Sequence, residues 1–216
     1  MQVIPALNCQ DVHCIIDKLH IVQKYLPNDG WIHLDVADAA FTYNRTWGVA
    51  RVWREVVDHI PLRDIKLEVH LMVEHPEKVI EEWLEAGARR VVVHVEAIQD
   101  FNYLKSRCDE KGTELMISLI PETPVQKLES YFEKCKAYQV LAVHPGLAGQ
   151  KFLPVALEKI KFLRERLPDA TIEVDGGVNV ETGIKAKTHG ANILISASAI
   201  FESHDPRIMY EHLMHL

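Results

Sequence analysis

Several absences in the 216-residue sequence narrow the class of protein. The four cysteines, Cys9, Cys14, Cys108 and Cys135, include no C-x-x-C pair and are too few for a disulfide scaffold, so we expect free thiols in a reducing cytoplasm. The N-terminus lacks a basic segment followed by an apolar one, and no apolar run approaches the roughly 18 residues that span a bilayer. We therefore expect a soluble, cytoplasmic protein without a membrane partner.

Positive charge is also scarce. Lys and Arg number 24 against 31 Asp and Glu, which gives a net charge of -7, and no basic run marks a surface for a polyanion. We expect no nucleic-acid partner, and an anionic ligand would need local recognition. Hydrophobic residues make up 48% and charged residues 25% of the chain. These values are typical of soluble globular proteins rather than of disordered chains.

Short apolar, β-rich segments alternate with amphipathic segments along the chain. The predicted strands are residues 3–7, 31–36, 67–72, 90–95, 114–120, 140–144, 171–174 and 193–196. The predicted helices are residues 12–25, 49–60, 76–86, 103–111, 124–136, 154–167 and 182–189, with a last one after Asp205. This alternation favours a parallel sheet, and eight strand–helix pairs favour a closed (β/α)8 TIM barrel in the α/β class. We interpret residues 1–216 as one barrel domain.

Polar side chains stand near the C-terminal ends of the second, third and seventh predicted strands, where barrels of this kind place reacting groups. Period-two alternation turns His33 and Asp35 to one face of the second strand. His70 and Asp175 stand at the ends of the other two strands. Two buried carboxylates are costly without a cation, and two imidazoles with two carboxylates suit one divalent zinc, iron, manganese or cobalt ion. The alternative is that each residue is a hydrogen-bonded member of a barrel layer.

Segments rich in glycine and other small residues follow the last three predicted strands. They contain Gly146, Leu147, Ala148 and Gly149, then Gly176 and Gly177, then Ala197 and Ser198. Loops after strands seven and eight of TIM barrels commonly bind a phosphate through backbone N–H groups. We predict a phosphate site in these loops. The alternative is that the glycines only form tight turns.

These segments resemble the ribulose-phosphate 3-epimerase family over nearly the whole chain and in the right order. The segments that carry the resemblance are residues 33–36 with Asp38 and Phe41, then 69–73, 94–97, 145–146, 149–152, 173–178 and 198–200. The resemblance implies a divalent metal held by His33, Asp35, His70 and Asp175. It also implies that Asp35 and Asp175 act as acid and base. Barrels of this family usually self-associate, so we expect a homo-oligomer.

The implied reaction follows from the acidity of a proton beside a ketone. That acidity is weak, and a metal that binds the carbonyl and the neighbouring hydroxyl oxygen stabilises the enediolate that forms. Inversion at C3 needs a protonatable group on each face of the substrate. By resemblance the substrate is a ketose phosphate, with D-ribulose 5-phosphate to D-xylulose 5-phosphate as the leading reaction.

The sequence departs from the family pattern around the substrate. Ala6 stands where serine is usual, Ala37 and Leu141 where methionine is usual, and Ala39, Ala148 and Ala197 where glycine is usual, whereas Met72 is retained. We therefore expect a differently lined cavity. A hexulose phosphate such as D-allulose 6-phosphate, or a phosphate-binding barrel without turnover, stays open as an alternative. A decarboxylase is disfavoured because no lysine lies between Asp35 and Asp38.

Overall fold

The strands close into a parallel barrel in the computed structural model, which describes residues 1–60 and 64–216. They are β1 (Gln2–Leu7), β2 (Trp31–Ala37), β3 (Lys66–Met72), β4 (Arg90–His94), β5 (Glu114–Leu119), β6 (Ala137–Leu141), β7 (Thr171–Asp175) and β8 (Ile193–Ser196). Each strand pairs in parallel with the next, and β8 pairs with β1. The predicted fold class, a (β/α)8 TIM barrel, is confirmed.

Helices alternate with the strands along the chain. They are α1 (Val12–Val22), α2 (Ala50–Asp58), α3 (Pro76–Glu85), α4 (Phe101–Lys111), α5 (Val155–Arg166), α6 (Val180–His189), α7 (Ser198–Phe201) and α8 (Pro206–Met214). Asp11 and Asp205 cap α1 and α8 by accepting backbone N–H groups. Across the described ranges, none of the helices combines the length and the apolar character that a membrane crossing requires.

Two predicted elements were wrong in position or type. The sixth strand was expected at residues 140–144 but lies at Ala137–Leu141. Its start is obscured because Gln139 reads as a surface residue, whereas its side chain is buried and bonded to Ser118 and Glu173 inside the barrel. The helix expected at residues 124–136 is instead a 3-10 helix, Val125–Tyr131. Its tighter turn is seen where Lys127 N donates to Pro124 O.

The expectation of four free thiols was wrong for one pair. Cys9 follows β1, Cys14 lies in the first turn of α1, and the two form a disulfide with their Cα atoms 5.8 Å apart. A tight connection between strand and helix creates this proximity, which residue spacing alone does not reveal. Cys108 and Cys135 are free and buried, as expected.

The two faces of the barrel wall differ in chemistry. Side chains that face the helices are apolar, as with Leu34, Val69 and Leu71, which are fully buried in one core cluster. The barrel interior instead contains buried charged groups, among them Glu68 and Glu173. The fold therefore gathers polar side chains from several strands in one place.

Candidate metal centre and substrate cavity

Four polar side chains converge at the C-terminal end of the barrel. His33 and Asp35 both belong to β2 and are two residues apart, so they share its inner face. His70 comes from β3, and Asp175 is the last residue of β7. All four are buried, and one donor atom from each lies within 4.8 Å of the others. The structure thus brings together the residues that strand alternation singles out.

The spacing of these donor atoms fits one divalent cation. Oδ1 of Asp35 lies 3.1 Å from Nε2 of His33 and 3.1 Å from Nδ1 of His70. Oδ2 of Asp175 lies 3.9 Å and 3.4 Å from the same two nitrogens. Ligands placed ~2.0–2.1 Å from a cation stand roughly 3.0–3.4 Å from one another. Small side-chain movements would therefore close this set around an ion.

Each imidazole is held by another residue on its far side. Nδ1 of His33 lies 2.6 Å from Oε1 of Glu68, and Nε2 of His70 lies 2.8 Å from Nε2 of His94. Nη1 of Arg90 in turn donates to Oε2 of Glu68 at 2.5 Å. Such outer partners fix the ring orientation and tautomer of metal-binding histidines. They leave Nε2 of His33 and Nδ1 of His70 directed at the two aspartates.

The electrostatics of the cluster also favour a cation. Burial alone would raise the pKa of Asp35, but the charges and hydrogen bonds of His33 and His70 hold that pKa well below its usual range. Burial would likewise lower the pKa of His33, yet Asp35 and Glu68 raise it above its ordinary value. A divalent ion would balance these carboxylates with positive charge and would let both rings bind as neutral ligands.

A recess opens beside the cluster, and Asp35 and Asp175 form part of its wall. Its lining includes every residue predicted to bind substrate or phosphate: Met72, Gly146, Leu147, Ala148, Gly149, Gly176, Gly177, Ala197 and Ser198. The loops after β6, β7 and β8 therefore surround the same opening as the two aspartates. A small anionic molecule in this recess would contact both parts.

Two glycines allow the loops to approach this recess closely. Gly177 has φ +65°, and a Cβ there would overlap the backbone nitrogen of Phe152 and lie 2.7 Å from its Cα. Gly176 has φ +99° and packs against the side chain of Val143. A larger residue at either position would force the loop onto another path. The exposed backbone is what a phosphate site built from N–H groups requires.

Comparison with known proteins agrees with the geometry of the site. The model of the ribulose-phosphate 3 epimerase family matches residues 3–201. The chain belongs to the ribulose-phosphate 3-epimerase family. It is 34% identical over 205 residues to the ribulose-phosphate 3-epimerase of Schizosaccharomyces pombe, a match that covers 95% of this chain and 89% of the relative. It is 35% identical over 210 residues to that of Bacillus subtilis, with 95% and 94% covered.

Membership of the ribulose-phosphate 3-epimerase family confirms the resemblance and the predicted enzyme class, a sugar-phosphate epimerase. Solved structures agree on the fold. A 3-hexulose-6-phosphate synthase superposes with a TM-score of 0.72 at 17% identity, covering 100% of this chain and 99% of the other. Orotidine 5'-phosphate decarboxylase from Pyrococcus horikoshii superposes with a TM-score of 0.67 at 16% identity, covering 100% of both. At such identities the likeness concerns the barrel alone.

The departures from the family pattern fall into two groups. Ala6, Leu141, Ala148 and Ala197 line the recess, so the expected change in its lining is present there. Ala37 instead borders a groove formed with Trp47 and lies outside the lining of the recess. Ala39 is exposed and adopts φ +65°, a left-handed conformation that glycine occupies at less cost. Its effect is therefore on the loop backbone rather than on the cavity.

Sequence reasoning missed several residues that surround the site. Asn8 lines the recess one pleat beyond Ala6, and the same period-two rule that singled out Asp35 could have found it. His94 was included in the resemblance without a role. Its ring stacks on His70 with centroids 5.0 Å apart, and its centroid lies 4.7 Å from that of the Phe41 ring. Glu68 and Arg90 read as ordinary charged residues near strand starts, and only the strand register, which pairs His33 with Glu68 and Glu68 with Arg90, brings them behind His33.

Proposed function

We propose that this chain interconverts D-ribulose 5-phosphate and D-xylulose 5-phosphate by moving the proton at C3. One observation carries the proposal: two imidazoles and two carboxylates converge beside a recess that is also lined by three loops of small residues. The first part can hold a divalent ion beside a ketose, and the second can hold its phosphate. The named relatives support the pentulose phosphate as the substrate.

The metal ligands in this proposal are His33, Asp35, His70 and Asp175. A zinc, iron, manganese or cobalt ion held by this set would stabilise the negative charge that develops on the substrate oxygens. The protein supplies the positions of the ligands, because Glu68 and His94 hold the two imidazoles from behind. Burial of all four ligands keeps bulk water from the cluster.

Asp35 and Asp175 are proposed to pass the proton. They come from β2 and β7, and both line the recess, so a substrate that enters it contacts a carboxylate from each strand. One carboxylate accepts the C3 proton from one face, and the other, protonated, returns a proton to the opposite face. Which aspartate is the base depends on the direction of the reaction.

The phosphate is proposed to lie against the loops that contain Gly149, Gly177 and Ser198. These residues line both the recess and a second, wider groove that continues from it. Lys151, Lys185, Glu181 and Glu202 all border that groove, and Nζ of Lys185 lies 2.6 Å from Oε1 of Glu181, so the lysines add no net charge there. The backbone N–H groups of the loops are the part of the site that suits a dianionic group at the far end of a short sugar chain.

A hexulose phosphate such as D-allulose 6-phosphate is the second candidate. The observation that favours it is the small side chain of Ala6 in the wall of the recess, which leaves room and removes a hydroxyl expected there. A decarboxylase gains no support from the site. Lys66, the lysine nearest in sequence to the β3 ligand, bonds Asp29 before β2.

The test is incubation of purified, metal-loaded protein with ribulose 5-phosphate in deuterated water, followed by NMR. We expect deuterium at C3 together with xylulose 5-phosphate. A chelator should abolish both, and addition of one of the four candidate metals should restore them. Exchange with allulose 6-phosphate alone would change the substrate assignment, and no exchange with either sugar would support a binding barrel without turnover.

Three further predictions from the sequence are retained as proposals. Residues 1–216 form one domain, the protein acts in the cytoplasm, and it self-associates. The eight-stranded closure of the barrel supports the first of these. Sedimentation of the purified protein would test the third.

A further inference from the structure

The amide of Asn8 connects a proposed acid/base residue to the loop after β6. Its Nδ2 lies 2.9 Å from Oδ2 of Asp35 and 3.0 Å from the backbone oxygen of Gly146. Oδ1 of Asp35 is the oxygen that faces the two imidazoles. Asn8 therefore contacts the other oxygen of this carboxylate, which the metal cluster leaves free for the substrate.

The orientation of this amide follows from its neighbours. A carboxylate oxygen and a carbonyl oxygen both accept hydrogen bonds, so only the NH2 group of Asn8 can face them. Both of its hydrogens are then used, one for Asp35 and one for Gly146. A hydrogen bond to an ionised carboxylate is stronger than one between neutral groups.

The backbone of Asn8 is itself held in place. Its carbonyl oxygen accepts a hydrogen bond from Nζ of Lys18 at 3.1 Å. The next residue, Cys9, is bonded to Cys14 and accepts a hydrogen bond from Trp47 N at 2.7 Å. A side chain on so constrained a segment has few alternative positions. A residue that orients another side chain must itself be fixed in this way.

We propose that Asn8 is a positioning residue that holds Oδ2 of Asp35 toward the recess and couples that carboxylate to the loop at Gly146. The inference rests on the proposed function, because it assigns the orientation of a group that transfers the proton. The chain segment that follows β1 then contributes to the reaction through Asn8, since Ala6 within β1 lines the same recess but carries no polar side chain. Displacement of the Gly146 loop removes one of the two acceptors that orient the amide.

The experiment compares the wild type with Asn8→Leu, a substitution of similar size that cannot donate. We expect kcat for ribulose 5-phosphate to fall by ~10- to 100-fold, as for loss of a hydrogen bond to a charged group. We expect KM and the affinity for Mn²⁺, measured by calorimetry, to stay within about threefold, because such a variant loses orientation rather than ligands. Hydrogen exchange of the backbone amides of residues 146–149 should become faster. Asn102→Leu, on the exposed face of α4, is the matched control.

The alternative outcomes are distinct. Unchanged kcat in Asn8→Leu would overturn the positioning role. A raised KM with unchanged kcat would make Asn8 a substrate-binding residue, and a parallel loss of Mn²⁺ affinity would make it a support of the metal site, so either result contradicts the proposal. If the wild type shows no turnover, the proposed function fails. Hydrogen exchange at the backbone amides of residues 146–149 still decides whether Asn8 holds the loop. Equal amide exchange rates in the wild type and in Asn8→Leu would overturn the coupling between Asn8 and that loop.

Discussion

Nδ1 of His33 lies 2.6 Å from Oε1 of Glu68, on the side of the imidazole that faces away from Asp35. Both side chains are fully buried. The pKa of Glu68 is lowered because the hydrogen bonds and charges of His33 and Arg90 outweigh the effect of burial. An ionised Glu68 therefore keeps the proton of His33 on Nδ1 and leaves Nε2 free to bind a cation.

Glu68→Gln tests this relationship. The amide keeps the size of the side chain but removes the charge that orients and polarises His33. We expect the affinity for Mn²⁺ or Co²⁺ to fall by about 10- to 100-fold, the range for loss of an outer partner of a ligand. Calorimetric titration measures it. Glu114→Gln is the control, since Glu114 bonds the same Arg90 but comes near no proposed ligand in the structure. Equal affinities for both variants would contradict the role of Glu68.

The guanidinium of Arg90 lies beside two buried glutamate side chains below the cluster. Its Nη1 lies 2.5 Å from Oε2 of Glu68 and 3.7 Å from Oε2 of Glu173. Burial and the nearby Glu68 raise the pKa of Glu173 well above its ordinary value, so one guanidinium only partly balances this pair. A substitution that removes the guanidinium of Arg90 would leave the buried negative charge of the glutamates without a partner.

Arg90→Met should therefore lower the free energy of unfolding by about 3–5 kcal/mol. Denaturant unfolding at neutral pH measures this change. Arg107→Met is the control, because Arg107 pairs with Glu81 and Glu110 at the surface, and it should have a much smaller effect. Wild-type stability in Arg90→Met would show that the carboxylates are neutral without it.

Gly177 and Gly112 make a matched pair, since both adopt φ +65°. At Gly112, which ends α4, a Cβ meets nothing within 4 Å, whereas at Gly177 it meets the backbone of Phe152. We expect Gly112→Ala to cost about 1–2 kcal/mol of stability through its left-handed conformation alone. Gly177→Ala should in addition weaken inorganic phosphate binding at least tenfold, measured by calorimetry. If Gly112→Ala and Gly177→Ala bound phosphate with equal affinity, the phosphate would not bind at the loop that contains Gly177.

The disulfide between Cys9 and Cys14 predicts a thiol count. Unfolded without a reductant, the protein should react with a thiol reagent at the two free cysteines, Cys108 and Cys135. After reduction, all four cysteines should react. Four reactive thiols before reduction would contradict the disulfide and support the four free thiols expected from the sequence.

Regular features of this protein were predictable from its sequence. The alternation of apolar and amphipathic segments indicates eight strand–helix pairs, which the structure confirms as a closed barrel. Period-two alternation places His33 and Asp35 on one face, and the fold's known rim adds His70 and Asp175. These inferences succeed because they depend on local periodicity and on one rule of barrel architecture.

Features that depend on which strands pair, and in what register, were not predictable. Gln139 reads as a break in an apolar segment until Ser118 and Glu173 surround it, so β6 was placed three residues too late, at 140 instead of 137. The contact of Asn8 with Gly146 joins residues 138 positions apart. Polar residues of this kind look alike in sequence whether they face water or each other, and only tertiary structure separates the two cases.

Asp175→Asn tests the central claim most directly, because Asp175 is proposed both to bind the metal and to transfer a proton. The measurement is the rate of deuterium incorporation at C3 of ribulose 5-phosphate, beside Asp169→Asn, an exposed control in the loop before β7. The account predicts a loss of at least about a hundredfold in the first variant and no change in the second. Wild-type exchange by Asp175→Asn would contradict it.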